Sequence, residues 1–275
     1  MGDLGFPWKQ PGSYGAKVMG SCNGLVCLLY NPNTIILWNP STRDFKELPS
    51  PPCSASDISF YGIGYVSSMD DYKVVLAARP VSADKTQPFI FNLKGNNCWR
   101  GIEQGLRSSI TMLDDVGTFF NGALHWRATW DFGLTNQEAI IALDMEEEKF
   151  RVILQPEVDD ERIVSFHTLG VSQGCLSLCS YSYGLHVGIW EMKKYGDRTS
   201  WTMVASLRSN EFDFCDYVVP VCFTKNGELV VDLDGRKLVK YNIQEKKSRS
   251  VKNWIDDWFQ WIMYVESLVT PHGKS

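Results

Sequence analysis

Residues 24–45 read GLVCLLYNPNTIILWNPSTRDF, and this stretch contains one complete unit of the fold. A turn glycine, Gly24, leads into the apolar run LVCLL, and a second apolar run ends on the polar residue Asn39. The cluster Asn39, Pro40, Ser41 supplies turn chemistry, after which the aromatic Phe45 begins another segment. Short apolar runs separated by Gly, Asn and Asp are the signature of strands joined by tight turns.

The same unit recurs along the chain. Aligned on the polar residue that closes the apolar strand, the anchors are Asn39, Asn92, Asp144, Glu191 and Asn242, at spacings of 53, 52, 47 and 51 residues. A turn glycine precedes the anchor strand in four copies, as Gly24, Gly122, Gly174 and Gly227, and Asp70 with Asp71 takes that part in the second. An aromatic follows the anchor as Phe45, Trp99, Phe150 and Trp201, with Val251 a weaker fifth equivalent. Each unit therefore reads as three or four antiparallel strands. A lone sheet of that size leaves one face uncovered, whereas sheets packed radially cover one another, and a period near fifty implies that arrangement. The expected fold is all-β, a β-propeller-like ring with five visible four-stranded blades and a sixth left open. A β-sandwich is the competing architecture, but it gives no reason for the same marks to return every fifty residues. The GH and WD marks of WD40 repeats and the double glycine of kelch repeats are absent. Near the C-terminus, Trp254, Trp258 and Trp261 lie on one stripe of a helix, and MYVESLV at 263–269 returns to strand character suited to closing the ring.

Composition agrees with this reading. The chain has 275 residues, 44% apolar and 13% aromatic, including 10 Trp, which favours strands in a sizeable core. Net charge is −5 and the longest basic runs are lysine pairs, so nucleic acid is not an expected partner. No stretch approaches the roughly 18 apolar residues of a membrane-spanning helix, and MGDLGFPWKQ is not a signal peptide. Gly2 is no acylation site, because Phe6 stands where Ser or Thr is required. Eight cysteines diluted in a chain of this length imply reduced thiols, and the expected location is cytoplasm, nucleus or both.

Five features of the sequence resemble catalytic or ligand motifs. Gly170, Val171, Ser172, Gln173 and Gly174 satisfy the nucleophile-elbow pattern of serine hydrolases, with His186 and His272 downstream as bases. The alternating CLSLCSYSYG that follows suits a hairpin rather than the helix an elbow requires. Gly62, Ile63 and Gly64 begin a phosphate-loop-like string but lead into Ser67 and no helix, so close strand packing is the reading. Asp232, Leu233, Asp234 and Gly235 start like a calcium loop, yet Ile243 stands at the twelfth-position carboxylate and the string is a β-turn. Cys175 and Cys179 on one strand face lie about 13 Å apart, too far to share a zinc ion. Glu146, Glu147 and Glu148 fall on a hairpin turn and read as a solvated tip. No cofactor, metal site or catalytic residue is expected, and the chain is read as a non-enzyme.

Binding is the better account. Propellers recognise partners through loops, and two loop candidates combine aromatics with charge. One is Trp130, Asp131 and Phe132; the other is Phe212, Asp213, Phe214 and Tyr217. The alternative for both is that the aromatics tuck into the domain.

With these residues laid out, the chain resembles the F-box-associated domain of plant F-box proteins. The resemblance rests on GSCNGLVCL at 20–28, ILWNPSTRDFKELP at 36–49, YGIGYVSSMDDYKVV at 61–75, NGALHW at 121–126, AIIALDMEEEKFRVI at 139–153, VGIWEMKKYGDRTSWTMV at 187–204 and YVESLV at 264–269. It implies a domain over 14–271, between an extension at 1–13 and a tail at 272–275, that selects a protein target for ubiquitination. In that family a helical F-box holds a Skp-type adaptor and a cullin. Such a segment is expected to be absent here, because the first blade begins within twenty residues of Met1. Adaptor binding is then expected of a longer product, and an F-box-less decoy or scaffold that holds the same target is the alternative.

Overall fold

The computed structural model describes residues 16–30, 33–80, 85–107, 109–131, 136–157, 163–182, 186–208, 218–224, 226–253 and 264–273. Within them the chain is all-β, with two 3-10 turns at Ala55–Asp57 and Arg198–Ser200. Its strands form five antiparallel sheets of propeller-blade type, each following chain order along its main path.

The first sheet holds β1 (Lys17–Cys22), β2 (Leu25–Tyr30), β3 (Thr34–Asn39) and β4 (Asp44–Glu47). The second holds β5 (Ile58–Val66), β6 (Asp71–Ala78), β7 (Lys85–Asn92) and β8 (Trp99–Gly101), with the short β9 (Leu106–Arg107) also on β7. In the third, β10 (Ile110–Met112) and β11 (Thr118–Phe120) both pair with β12 (Ala123–Asp131), followed by β13 (Asn136–Asp144) and β14 (Phe150–Ile153). The fourth contains β15 (Ile163–Ser172), β16 (Cys175–Ser182), β17 (His186–Met192) and β18 (Trp201–Arg208). The fifth contains β19 (Val218–Phe223), β20 (Leu229–Leu233), β21 (Lys237–Asn242) and β22 (Lys247–Asn253). Two compact units result: Met1–Ile153 with Ile262–Ser275, carrying the first three sheets, and Leu154–Trp261, carrying the last two.

The fifty-residue repeat has a local physical cause. Asn39 Oδ1 accepts the amides of Ser41 at 2.8 Å and Thr42 at 3.4 Å, folding the chain back from β3 into β4. Asp144 does the same for Glu146 and Glu147 at 3.0 and 2.9 Å, and Asn242 for Gln244 and Glu245 at 3.0 and 3.1 Å. A short side-chain acceptor is needed at this point because the turn amides have no ladder partner. Glu191 is too long for that turn and instead accepts Ser172 Oγ at 2.6 Å. In three sheets the turn into the strand before the anchor strand has both central residues left-handed: Asn23 (φ 47) with Gly24 (φ 90), Asn121 (φ 47) with Gly122 (φ 74) and Gln173 (φ 46) with Gly174 (φ 75). This is the hairpin turn that matches strand twist, and it explains the Asn-Gly pairs.

Inner strands are buried on both faces. Every residue of β6 is buried, and β2 is nearly so, while β14 and β18 on sheet edges alternate or lie open. In the first unit, Met19, Leu25, Ile35 and Leu37 pack against Ile63, Val74, Leu76 and Phe91 of the second sheet. On that sheet's other side, Phe60, Val75 and Ile90 meet Leu124, Trp126, Ile141 and Leu143 of the third. Gly62 and Gly64 are the close-packing positions the sequence suggested: a Cβ on Gly62 would lie 2.9 Å from Leu124, and one on Gly64 2.7 Å from Phe119. Trp126 is fully buried, donates Nε1–H to the Tyr61 carbonyl at 3.1 Å, and meets Phe60 edge-on. In the second unit the core lies between Val187, Ile189 and Leu207 on one sheet and Leu229, Val231 and Tyr241 on the other.

His125, beside Trp126, is completely buried, with Nδ1 3.1 Å from the Thr118 carbonyl. Burial lowers its pKa to about 4, although hydrogen bonds with the Thr118 and Ala123 backbone pull the other way. The folded protein therefore holds this imidazole neutral where the unfolded chain, with a pKa of about 6.5, takes up a proton. Stability is expected to fall by about 3 kcal/mol as pH drops from 6.5 to 4, with no further contribution from this group below that. Urea unfolding across that window checks it, and the slope should flatten in His125→Gln.

Two sequence expectations change. Glu146 and Glu147 are exposed as expected of a turn, but Glu148, with φ 57, turns inward and pairs with the fully buried Lys73 at 2.7 Å. Residues 264–270 do not form the closing strand and join no sheet, because side chains of the first sheet hold them instead. The stripe Trp254, Trp258, Trp261 lies outside the described residues.

Candidate functional site

In an up-and-down sheet, the first-to-second and third-to-fourth turns fall at the same end. The Asn23–Gly24 and 39–44 turns of the first sheet thus share one end, as do the 67–70 and 93–98 turns of the second. Residues 264–270 run directly over Gly24, where a Cβ would come within 2.0 Å of Ser267 Oγ and 2.7 Å of the Val265 carbonyl. Asn39 Nδ2 donates to the carbonyls of Ser267 and Val269 at 3.0 and 2.7 Å, and Ser267 Oγ donates to the Asn23 carbonyl at 2.8 Å. Thr270 Oγ1 donates to Asp44 Oδ2 at 3.3 Å, and His272 Nε2 lies 3.0 Å from Asp44 Oδ1. One asparagine therefore both folds its own turn and clips down the C-terminal segment.

Between this segment and the turns of the second sheet lies a cleft of about 650 Å³, whose walls include Tyr65, Asp70, Tyr72, Lys94, Val265 and Leu268. Tyr65 donates its hydroxyl to Asp70 Oδ1 at 2.7 Å, and Lys94 Nζ donates to Asp70 Oδ2 at 2.9 Å. Asp71 Oδ1 accepts the amides of Tyr72 and Lys94 at 2.7 and 3.0 Å, fixing the turn beneath them. The two tyrosine rings sit 5.0 Å apart. Burial pushes the Tyr72 phenol up to about 12, and the hydrogen bond to Asp70, with burial, raises Tyr65, so both remain hydroxyl donors at neutral pH. Val265 and Leu268 are 71% and 89% exposed. Apolar exposure beside tyrosines and a charge is the composition of a recognition surface.

Asn39→Ala removes both donor bonds to the segment and the turn acceptor. A stability loss of about 1–3 kcal/mol is expected, and hydrogen exchange at the amides of 264–270 should accelerate more than exchange in β2 or β6.

Of the partner-binding residues singled out from the sequence, only Trp130 and Asp131, on β12, fall within the described residues. Trp130 is half-buried and packs on the core between the second and third sheets. Asp131 ends β12, paired with Asn136, at the far end of that strand from the Asn121–Gly122 turn. Phe132, Phe212, Asp213, Phe214 and Tyr217 lie outside the described residues. The cleft residues were missed as a site although DDYKVV and YVESLV had been read as motifs, since each motif alone is only a turn or a strand.

The string GVSQG is the hairpin its sequence suggested, and the hydrolase alternative finds no support. Ser172 and Cys175 pair across a two-residue turn, Gln173 (φ 46) and Gly174 (φ 75), leading into β16. Ser172 is buried and its hydroxyl donates a hydrogen bond to Glu191. His186 pairs with Ser182 at the opposite end of β16, about 23 Å from Ser172 at ~3.3 Å per residue. The calcium-like string is the expected turn, closed by the Arg236 amide on the Leu233 carbonyl at 3.0 Å. Among the described residues no three His, Cys, Asp or Glu side chains are grouped to hold a metal.

A crystal structure of oligogalacturonate lyase from Vibrio parahaemolyticus has a similar fold, with a TM-score of 0.50 at 10% identity, over 86% of this chain and 64% of that one. In sequence, the F-box protein CPR1 of Arabidopsis thaliana is 32% identical over 91% of this chain and 66% of its own length. An F-box/kelch-repeat protein of the same plant is 30% identical over 93% of this chain and 69% of its own. The chain thus spans about two thirds of the length of these relatives. The model of the F-box associated beta propeller domain matches residues 9–271, and with those relatives it shows that the chain belongs to the F-box associated β-propeller family.

Proposed function

We propose that this chain is the target-recognition domain of an F-box protein, selecting a protein for ubiquitination by a ligase of the Skp–cullin–F-box type. The observation that carries the reading is the family match over 9–271, together with relatives that are F-box proteins of greater length. The cleft of the first unit supports it, because an open surface with exposed Val265 and Leu268 suits a protein partner. In this reading the Skp-type adaptor and the cullin engage an F-box in a longer product, the propeller contributes no chemistry, and the site of action is cytoplasm or nucleus.

The test expresses the longest transcript product beside the 275-residue chain and identifies captured proteins by mass spectrometry. The expected result is the adaptor with the longer product alone and a shared target with both. Absence of any shared, specific protein would remove the recognition role.

A further inference from the structure

The asparagine clip that holds residues 264–270 on the first sheet is built a second time in the fifth. We propose that this second clip receives an extended segment of the protein target, in which a serine or threonine is followed two residues later by an aliphatic residue. The proposal rests on the recognition role proposed above and adds to it a second surface and a class of sequence.

Turn geometry comes first. Asn242 Oδ1 accepts the amides two and three residues further on, as Asn39 and Asp144 do in their own sheets. Each turn then carries a left-handed residue four positions after the anchor: Arg43 (φ 63), Glu148 (φ 57) and Lys246 (φ 52). With Oδ1 committed to the turn, the other side-chain atom is left for a second partner. Asn39 donates its Nδ2 hydrogens to the carbonyls of Ser267 and Val269. These lie two residues apart on an extended segment, where the backbone repeats and carbonyls face the same way. Asp144 has no donor there, only a second oxygen that Arg151 meets at 3.3 Å. Asn242 has the same amide as Asn39, lies half-buried, and donates to no side chain or carbonyl among the described residues.

The surroundings match as well. Asn226 and Gly227 stand in the turn from β19 to β20 where Asn23 and Gly24 stand in the turn from β1 to β2. A Cβ on Gly24 would strike Ser267, whereas one on Gly227 meets nothing within 4 Å. Beside them lies a cleft of about 420 Å³, whose walls include Phe223, Asn226, Asn242 and Ile243 of the fifth sheet and Val204 of the fourth. Glu228, the one charged side chain lining it among the described residues, is held by Arg249 Nε and Nη2 at 3.2 and 2.8 Å. A neutral, partly apolar occupant therefore fits.

The first sheet supplies the pattern for that occupant. There the Ser267 hydroxyl donates to the Asn23 carbonyl at 2.8 Å, and Val269 packs against the core. Carried to the fifth sheet, the hydroxyl meets the Asn226 carbonyl, two backbone carbonyls meet Asn242, and the aliphatic side chain enters beside Phe223, Ile243 and Val204.

The test pans a phage-displayed library of random dodecapeptides on the purified chain and measures the selected peptides by fluorescence polarisation. Wild type should enrich Ser or Thr followed two positions later by Val, Ile or Leu. Asn242→Asp keeps the turn acceptor, as Asp144 shows, but replaces the donor by a carboxylate that repels carbonyls, so affinity should fall at least tenfold. Val204→Asp, 37% exposed on the facing wall, probes the site without touching the turn and should weaken binding by a similar factor. Unfolding midpoints confirm that both variants are folded.

No selected peptide, a consensus lacking the hydroxyl and aliphatic pair, or affinities unchanged in both variants would each overturn the proposal. Self-association of the chain that Asn242→Asp abolishes would overturn it in favour of a second copy as occupant. Failure here is separable from failure of the recognition role. If Asn242→Asp captures the cellular target as well as wild type, this site is wrong and the role stands; if wild type captures no target, the role itself falls.

Discussion

Replacing Glu148 with alanine is expected to destabilise the fold by about 3–5 kcal/mol, the cost of leaving a buried charge without its counter-ion. The lysine concerned is Lys73 on β6, whose side chain has 0% exposure. Its ammonium group donates to the Met145 carbonyl at 2.5 Å and to Glu148 Oε1 at 2.7 Å, and Glu148 also pairs with Arg100. The pair joins the second sheet to the turn between β13 and β14 of the third. Lys73→Met in the Glu148→Ala background should restore more than half of the loss, because an apolar side chain suits that burial where an orphan ammonium does not. Urea unfolding of the two single variants and the double variant gives the coupling directly. A Glu148→Ala midpoint equal to wild type would show that the Met145 carbonyl alone suffices.

The same carboxylate adds a second pH window. Burial alone would raise the Glu148 pKa, but the bonds from Arg100 and Lys73 outweigh it and hold the group below its ordinary value. Its contribution is therefore complete above about pH 4.3 and lost as pH falls through the lower folded value. The His125 window lies higher, between about 6.5 and 4, so the two groups can be told apart in one titration.

Trp126→Ala is the second large effect, about 3–5 kcal/mol for emptying a buried indole site. Here the loss also orphans the bond to the Tyr61 carbonyl and the edge contact with Phe60, both on the neighbouring sheet. Trp126→Phe should recover most of the packing and leave a deficit of about 1 kcal/mol for the missing donor. Chemical denaturation checks both. A Trp126→Ala protein within 1 kcal/mol of wild type would mean that the second and third sheets do not depend on this contact.

The fold was legible because its marks are local. Asn39, Asp144 and Asn242 recur since each must supply an oxygen to two turn amides, and Asn23–Gly24 and Asn121–Gly122 recur since their turns need two left-handed residues in succession. Burial on both faces of β6 was less visible, because Asp71 and Lys73 interrupt its apolar run although both are buried. Glu148 was read as solvent-facing for the same reason: nothing in EEE tells which glutamate meets a lysine 75 residues away.

The candidate site was illegible for a different reason. Trp130 was read as a loop aromatic, yet it stands in β12 and packs on the core between two sheets. Tyr65, Asp70, Tyr72 and Lys94 carry no mark beyond turn and strand chemistry, and Ser267 meets Asn23 across 244 residues of sequence. The amino-acid sequence alone determined the all-β class, the repeated unit and the turns, because strand propensity and turn geometry act over a few residues. Tertiary structure alone decided where the cleft lies, which carboxylate neutralises Lys73 and what holds residues 264–270, because each depends on side chains that meet only after separate sheets have packed.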